Sequence, residues 1–395
     1  MSTHIGIGFS RHIDSQQAAK EAAFQSKTNL GADRIDTTLV LSTVHYDPRV
    51  SVPIIREILN NAKMIGCSTA GIILSQSIET RGIAVLTITS EDMKFGAGCV
   101  ENIHTLDTSQ AGVELASNCL GDFGKHGRQI FVFFVDSHLK NVSPLLRSLQ
   151  EVLGSIFPVV GAGSCDDFHF GDSFQIFQDK ILKNAAAGLI MGGHMQVGVG
   201  ARHGWRPLGK PHLIDKADRN IIKSIDGKRA CHIYEEYLGE ETKDLRSNRL
   251  GQMAILYPLG ISIEGGKEYL LRNAVDIEQD GSIVCQGDIS QGAEVHLMIG
   301  NKDSCKQAAF EAAQEAHQNL LGKAPKLIII LESMTRLKLL SRTAFQEVIK
   351  IKEVFGLNVP IIGMYANGEI CPLQSSERFK KPHLQNESIV ILAIS

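Results

Sequence analysis

The chain has 395 residues and a formal net charge of −3, with 43% apolar and 21% charged residues. That length exceeds one ordinary hydrophobic core and predicts two or three domains of ordinary globular composition. It contains no dense Lys/Arg block and no apolar run of the roughly 18 residues that a membrane helix needs, which disfavours nucleic-acid, anionic-membrane and membrane-spanning roles.

The N-terminal residues 1–11 read as a short strand and not as a signal peptide. Residues 15–28 form a helix candidate that Asp14 caps, with Ala18, Ala22, Ala23 and Phe24 near helical spacing. A module then recurs three times: buried strand, amphipathic helix, short strand, small-residue turn and, after a polar loop, one more strand. The first copy has a strand over 39–44, a helix near 52–62, the turn Gly66-Cys-Ser-Thr-Ala-Gly71 and a closing strand over 83–88. A helix near 109–120 leads to the second copy, with a strand over 130–135, a helix over 143–153, the turn Gly161-Ala-Gly-Ser-Cys-Asp-Asp167 and a strand over 186–191.

From about residue 196 the texture changes. A Gly-rich run over 197–201, the single tryptophan Trp205, and the turn dipeptides Asp226-Gly227 and Asp280-Gly281 predict an antiparallel β-rich region over 197–300. It stands between the second and third modules. A helix over 303–321 follows, with a small-residue face of Ala308, Ala309, Ala312, Ala313 and Ala316. The third copy closes the chain: strand 327–331, helix 343–355, a turn holding Gly363, Tyr365, Gly368 and Glu369, and strand 389–394. The predicted fold class is α/β in two parts. Residues 1–195 make an N-terminal α/β domain, and 196–395 combine the β-rich insert at 197–300 with an α/β module at 303–395.

Glycines at one place in each copy predict backbone with positive φ or a close approach to something else. Three such turns either form one ligand-lining site or are only sharp corners. The site would draw on Gly66, Cys67, Ser68, Gly71, Gly163, Asp166, Asp167, Tyr365, Gly368 and Glu369. Cys67 or Ser68 superficially resembles a hydrolase nucleophile elbow, but the spacing is off by one and 72–74 begins a loop where the elbow would feed a helix. Asp166 and Asp167 suit a metal or an amine, or cap their local backbone. The chain has no Gly-x-x-x-x-Gly-Lys-Ser/Thr loop, no CxxC pair and no His/Cys zinc spacing. Its eight scattered cysteines predict reduced thiols and a cytoplasmic location. His203, beside Trp205, and His232, after Cys231, are candidate axial ligands of a non-covalent haem. Arg272 and Arg336 are candidate clamps for a carboxylate, whether of an amino acid or of a haem propionate.

Together these segments resemble the FIST family of bacterial sensory proteins, in both its N and C domains. The carriers are Gly66–Gly71, Gly161–Asp167 and 177–189 in the first half. In the second they are His203-Gly-Trp-Arg-Pro-Leu-Gly209, Tyr234-Glu-Glu-Tyr-Leu-Gly239, Tyr257-Pro-Leu-Gly260, Arg272-Asn273 and Gly363-Met-Tyr-Ala-Asn-Gly-Glu-Ile370. The resemblance implies an intracellular, non-enzymatic signal-input module that binds small ligands, amino acids among them. Some stand-alone members bind haem b and sense nitric oxide. It also implies a partner: a histidine kinase of a two-component system, or a diguanylate cyclase or phosphodiesterase of cyclic-di-GMP signalling. One departure is visible, since the family's Cys-x-x-Arg stretch reads Glu332-Ser-Met-Thr-Arg336 here, keeping the arginine without the cysteine. A ligand-free regulatory scaffold and a hydrolase using Cys67 or Ser68 stand as the alternatives.

Overall fold

Each repeat begins one strand and one helix earlier than the motifs alone suggest, so the α/β body consists of three units with one order of elements, eight in each of the first two and one helix more in the third. The structure is a computed structural model that describes residues 3–139, 141–167, 171, 173–239, 256–263, 269–373 and 381–395. Unit one comprises β1 (Thr3–Ser10), α1 (Ser15–Leu30), β2 (Thr37–Ser42), α2 (Pro48–Ile58), β3 (Lys63–Ser68), β4 (Gly71–Leu74), β5 (Ile78–Glu79) and β6 (Ile83–Ser90). Unit two repeats the order with β7 (Met93–Glu101), α3 (Thr108–Phe123), β8 (Arg128–Asp136), α4 (Ser143–Leu153), β9 (Val159–Ser164), β10 (Gln175–Phe177), β11 (Lys180–Leu182) and β12 (Ala185–Gly193).

Unit three starts with β13 (Val197–Arg202) and is then interrupted. The insert contains β14 (Arg206–Asp218), β15 (Ile221–Ile225), β16 (Lys228–Arg229), α5 (His232–Leu238), β17 (Leu259–Ser262), β18 (Tyr269–Arg272), β19 (Ala274–Ile277), β20 (Ile283–Cys285) and β21 (Glu294–Ile299). The unit resumes with α6 (Lys302–Asn319), β22 (Leu327–Ser333), α7 (Met334–Leu340), α8 (Phe345–Phe355), β23 (Ile361–Ala366), β24 (Glu369–Pro372), β25 (Pro382–Gln385) and β26 (Ile389–Ile394). The β-rich region therefore sits inside the third unit, between its first strand and first helix.

Local signals explain the elements. Asp14, Asp47 and Asp107 accept backbone hydrogen bonds at the N-termini of α1, α2 and α3. In each unit the second and third strands are parallel, and the first and last pair antiparallel beside them: β1-β6-β2-β3, β7-β12-β8-β9 and β13-β26-β22-β23. The segments expected to be loops after each turn are hairpins, and each hairpin leaves its own unit. β10-β11 of unit two extends the sheet of unit one beside β3. β24-β25 of unit three extends unit two beside β9, and β4-β5 of unit one extends unit three beside β23. The exchange ties residues on either side of position 195 together twice.

The three sheets turn one face to a common core. Along β22, Leu327, Ile329 and Leu331 belong to it while Ile328 and Ile330 pack outward under the helices, as the two-residue period of a strand requires. The alanine face of α6 lies directly on β13, where a Cβ at Gly198 or Gly200 would meet the carbonyl oxygens of Ala316 and Ala312 at 1.9 and 2.1 Å. The insert forms a separate antiparallel sheet of order β18-β17-β21-β14-β15-β20-β19, with β16 beside β15 and its own apolar cluster around Ile214, Ile222 and Leu259. Among the described residues no helix is long and apolar enough to cross a membrane.

The repeated glycines serve close approach. Gly66, Gly161 and Gly363 occupy matching places opposite Val40, Phe133 and Ile330 in the parallel pairs, where an added Cβ would stand 2.1–2.5 Å from the neighbour. Gly163 donates its N–H to the Gly368 carbonyl at 2.9 Å, and a Cβ there would lie 2.3 Å from the Asn367 carbonyl oxygen. Gly163→Ala should therefore cost about 2–3 kcal/mol through overpacking. Urea unfolding checks this, and a midpoint equal to that of the unmodified protein would refute the close-contact account.

Candidate functional site

The three turns do meet. The Ala70 N–H donates to the Tyr365 carbonyl at 3.2 Å, the Cys165 N–H to the Ser68 carbonyl at 3.2 Å, and the Asn367 N–H to the Gly163 carbonyl at 3.2 Å. The Thr69 hydroxyl and the Cys165 thiol also reach the Tyr365 carbonyl, at 2.8 and 3.0 Å. The junction is closed: Gly66, Cys67, Ser68, Gly71, Gly163, Asp166, Tyr365, Gly368 and Glu369 are all buried. Main-chain hydrogen bonds join the three turns to one another.

The chemistry of each residue agrees. Burial raises the Cys67 thiol well above its ordinary range, and its sulfur points to Met364 Sδ at 3.6 Å. The Ser68 Oγ accepts the Phe174 N–H at 3.0 Å, a backbone donor and not a general base. Asp166 accepts the Gly171 N–H at 2.6 Å, and Asp167 lies at the edge with its carboxylate 3.9 Å from His45 Nε2. Glu369 accepts from the Ser388 N–H and hydroxyl at 3.1 and 2.8 Å, and burial raises its carboxyl well above the usual range. Neither an activated nucleophile nor a cluster of three metal-ligating side chains is present among the described residues.

A buried ionic centre lies beside the junction. Arg336, fully buried, donates from Nε to Glu332 at 3.1 Å and from Nη2 to Glu347 and to the Cys305 carbonyl. Its Nη1 donates to the carbonyls of His203 and Glu387. Burial alone would lower Arg336, but the carboxylates of Glu347 and Glu332 outweigh it and keep the guanidinium charged. Burial and the neighbouring Glu347 push Glu332 well above the usual carboxylate range. Arg336 is thus a structural tie and takes no ligand.

The imidazoles do not suit haem. His232 lies at the surface, with Nδ1 at 3.0 Å from Glu235 and Nε2 at 3.2 Å from Lys228 Nζ, so both nitrogens are engaged. His203 Nδ1 accepts the Trp205 N–H at 2.9 Å, and burial, Arg336 and Arg202 bring its pKa down to about 4. In that neutral ring the proton sits on Nε2, which leaves no free lone pair for iron. The cleft beside His203 holds only about 300 Å³.

Arg272, a candidate carboxylate clamp from its place in the sequence, does reach a cavity. It ends β18, is 3% exposed, and lines a space of about 700 Å³ between the insert, α4 and β25. Its Nε donates to the Asp288 carbonyl at 3.0 Å, and Nη1 to the Leu271 and Leu384 carbonyls at 2.9 and 2.8 Å. Gly287, at φ +103°, presses its backbone against the guanidinium, where a Cβ would lie 3.1 Å from Cζ. No carboxylate among the described residues forms an ion pair with Arg272, although burial lowers it only to about 10. Arg147 and Lys381 add positive charge to the walls, Asp288 and Glu294 negative charge, and Leu146, Leu270 and Leu384 apolar surface. Sequence reasoning found Arg272 but missed these companions, which come from α4, β25 and the 288–294 loop.

Residues 36–228 match the family model of the FIST N domain, and residues 230–372 that of the FIST C domain. An uncharacterised protein of Methanocaldococcus jannaschii is 26% identical over 262 residues, covering 60% of this chain and 48% of that protein. The chain thus spans about half the length of this archaeal relative. An uncharacterised protein of Mycobacterium tuberculosis is 22% identical over 377 residues, covering 93% of this chain and 95% of its own. Among solved structures, cyanuric acid hydrolase from A. caulinodans aligns over 99% of both chains at 6% identity, with a TM-score of 0.38. PurLQS from Thermotoga maritima aligns over 99% of this chain and 72% of its own at 10% identity, with a TM-score of 0.23.

The buried groups set a pH dependence with two opposing arms. Burial raises Glu387 from 4.5 to about 8, so folding takes up a proton and its contribution to stability falls as pH rises across that window. His203 is lowered from 6.5 to about 4, so its contribution is lost as pH falls through that lower window. Glu387→Gln should gain stability over the unmodified protein as pH rises from 5 to 8, by on the order of 1 kcal/mol per pH unit. Urea titrations at several pH values measure the difference, and one that stays flat would contradict the assignment.

Proposed function

Because the chain belongs to the FIST family, whose domains are sensory rather than catalytic and are associated with sensing small ligands in signal transduction, we propose that it senses an amino-acid-like molecule in the Arg272 cavity. One observation carries this reading: a buried guanidinium with no carboxylate ion-paired to it among the described residues, on the wall of a cavity of ligand size. The Arg272 Nε and Nη1 are taken by backbone carbonyls, and the Nη2 donors remain to meet a carboxylate in a charge-assisted hydrogen bond. Asp288 and Glu294 on the same walls suit an α-ammonium group, and the apolar surface suits a short side chain. The insert forms one wall and α4 the other, so an occupied cavity favours one placement of the insert against the α/β body. Output would then pass to a partner, for which the family favours a histidine kinase, or a diguanylate cyclase or phosphodiesterase.

Calorimetry with free amino acids and their methyl esters tests the ligand class. At least one free amino acid should bind saturably and raise stability by about 2.7 kcal/mol at 100 times its Kd. Its ester should bind at least tenfold more weakly, and Arg147→Gln should weaken the acid alone. Equal binding of acid and ester would overturn the proposal. A Soret band after haemin loading that disappears in His203→Ala would overturn it too, in favour of haem b and nitric oxide.

A further inference from the structure

A second cavity, of about 690 Å³, lies across the Arg272-Asn273 step from the first, and its charge is of the opposite sign. Its inner wall comes from the C-terminal ends of β8 and β22, through His138, Ser333 and Thr335, and its outer wall from β19 and β20 of the insert. Open α/β sheets present binding crevices at these strand ends. No lysine or arginine is among the described residues that line it, whereas Asp276 and Glu278 stand exposed on its walls. Beneath Ser333, Thr335 and Asn273 lies the fully buried carboxyl of Glu387, at a left-handed φ of 60°.

The floor also holds an unused acceptor. Asn273 is 9% exposed and lines the cavity, and its Oδ1 has no hydrogen-bond partner among the described residues. A buried amide oxygen left unpaired costs free energy, which a donor arriving with a ligand recovers. Two neighbouring amides are engaged elsewhere: the Asn386 amide nitrogen donates to Gln286 at 2.8 Å, and the Gln286 amide nitrogen to the Asn367 carbonyl at 3.2 Å. Val275 contributes apolar surface at the mouth.

We propose that this cavity is a second ligand site that takes a small organic cation, an ammonium group carried on an apolar body. The ammonium donates to Asn273 Oδ1 in the field of Asp276 and Glu278, and the apolar part rests on the walls beside Val275. This site is distinct from the Arg272 cavity, which offers cationic groups to a carboxylate, and it does not depend on what that cavity binds.

The test is calorimetry at low salt with three matched probes: phenethylamine, 2-phenylethanol and 3-phenylpropionate. Phenethylamine should bind saturably, the alcohol at least tenfold more weakly, and the acid not at all. The exposed double substitution Asp276→Asn with Glu278→Gln should weaken the amine about threefold to tenfold. Val275→Arg, which places bulk and positive charge at the exposed mouth, should abolish binding without moving the melting temperature. Arg147→Gln, in the other cavity, should leave amine binding unchanged. Equal affinity for amine and alcohol, or no saturable amine binding to the folded protein at millimolar concentration, would overturn the proposal, as would full binding to the Val275→Arg variant.

Discussion

Three backbone turns that hydrogen-bond to one another at the centre of the molecule hold the rest of the structure in place. Ala70, Cys165 and Asn367 donate N–H groups to carbonyls of the neighbouring turns, in an interior where an unpaired amide is costly. The same turns launch the hairpins that each unit lends to the next, so no unit completes its sheet alone. The requirement for glycine at Gly66, Gly163 and Gly363 follows from this crowding, since backbone meets backbone or a paired strand there. The junction's main-chain groups are spent largely on one another, while the Tyr365 hydroxyl and Glu369 Oε1 have no hydrogen-bond partner among the described residues.

Arg336 joins the insert to that body. The insert leaves the third unit just after β13 and returns just before α6. The guanidinium donates to the carbonyl of His203 at the exit and to that of Cys305 after the return. On its other side it pairs with Glu332 and Glu347 of β22 and α8. A buried pair of this kind adds little net stability, yet removing one partner costs about 3–5 kcal/mol because the remaining charge has no solvent. Both exits of the insert are therefore fixed at one point. Further along, the insert is tied to the body again, through Arg272 Nη1 to the Leu384 carbonyl and the Asn273 N–H to Asn386 Oδ1.

The strand and helix framework was legible because its signals are local. The apolar runs of β8 and β22, the capping aspartates and the alanine face of α6 each report their structure within a dozen residues. The hairpins were not legible. β4 spans only Gly71–Leu74 and is buried because β23, from the far end of the chain, covers it. The turns' convergence was visible as a possibility, but their closure was not, since the same small residues serve a pocket or a tight contact. Glu332, Glu369 and Glu387 are all buried, against the default that carboxylates face water. Arg272 stood out in the sequence, while Arg147, Asp288 and Lys381 are surface charges until the fold gathers them around one cavity.

Hydrogen–deuterium exchange with and without a saturating amino-acid mixture tests most directly whether the insert interface is the sensing element. Protection should appear in β18, in residues 288–294 and in the first turn of α4, while the central turns, already closed, stay unchanged. Protection confined to Gly66–Gly71 and residues 161–167, or no change anywhere in the insert interface, would contradict this account.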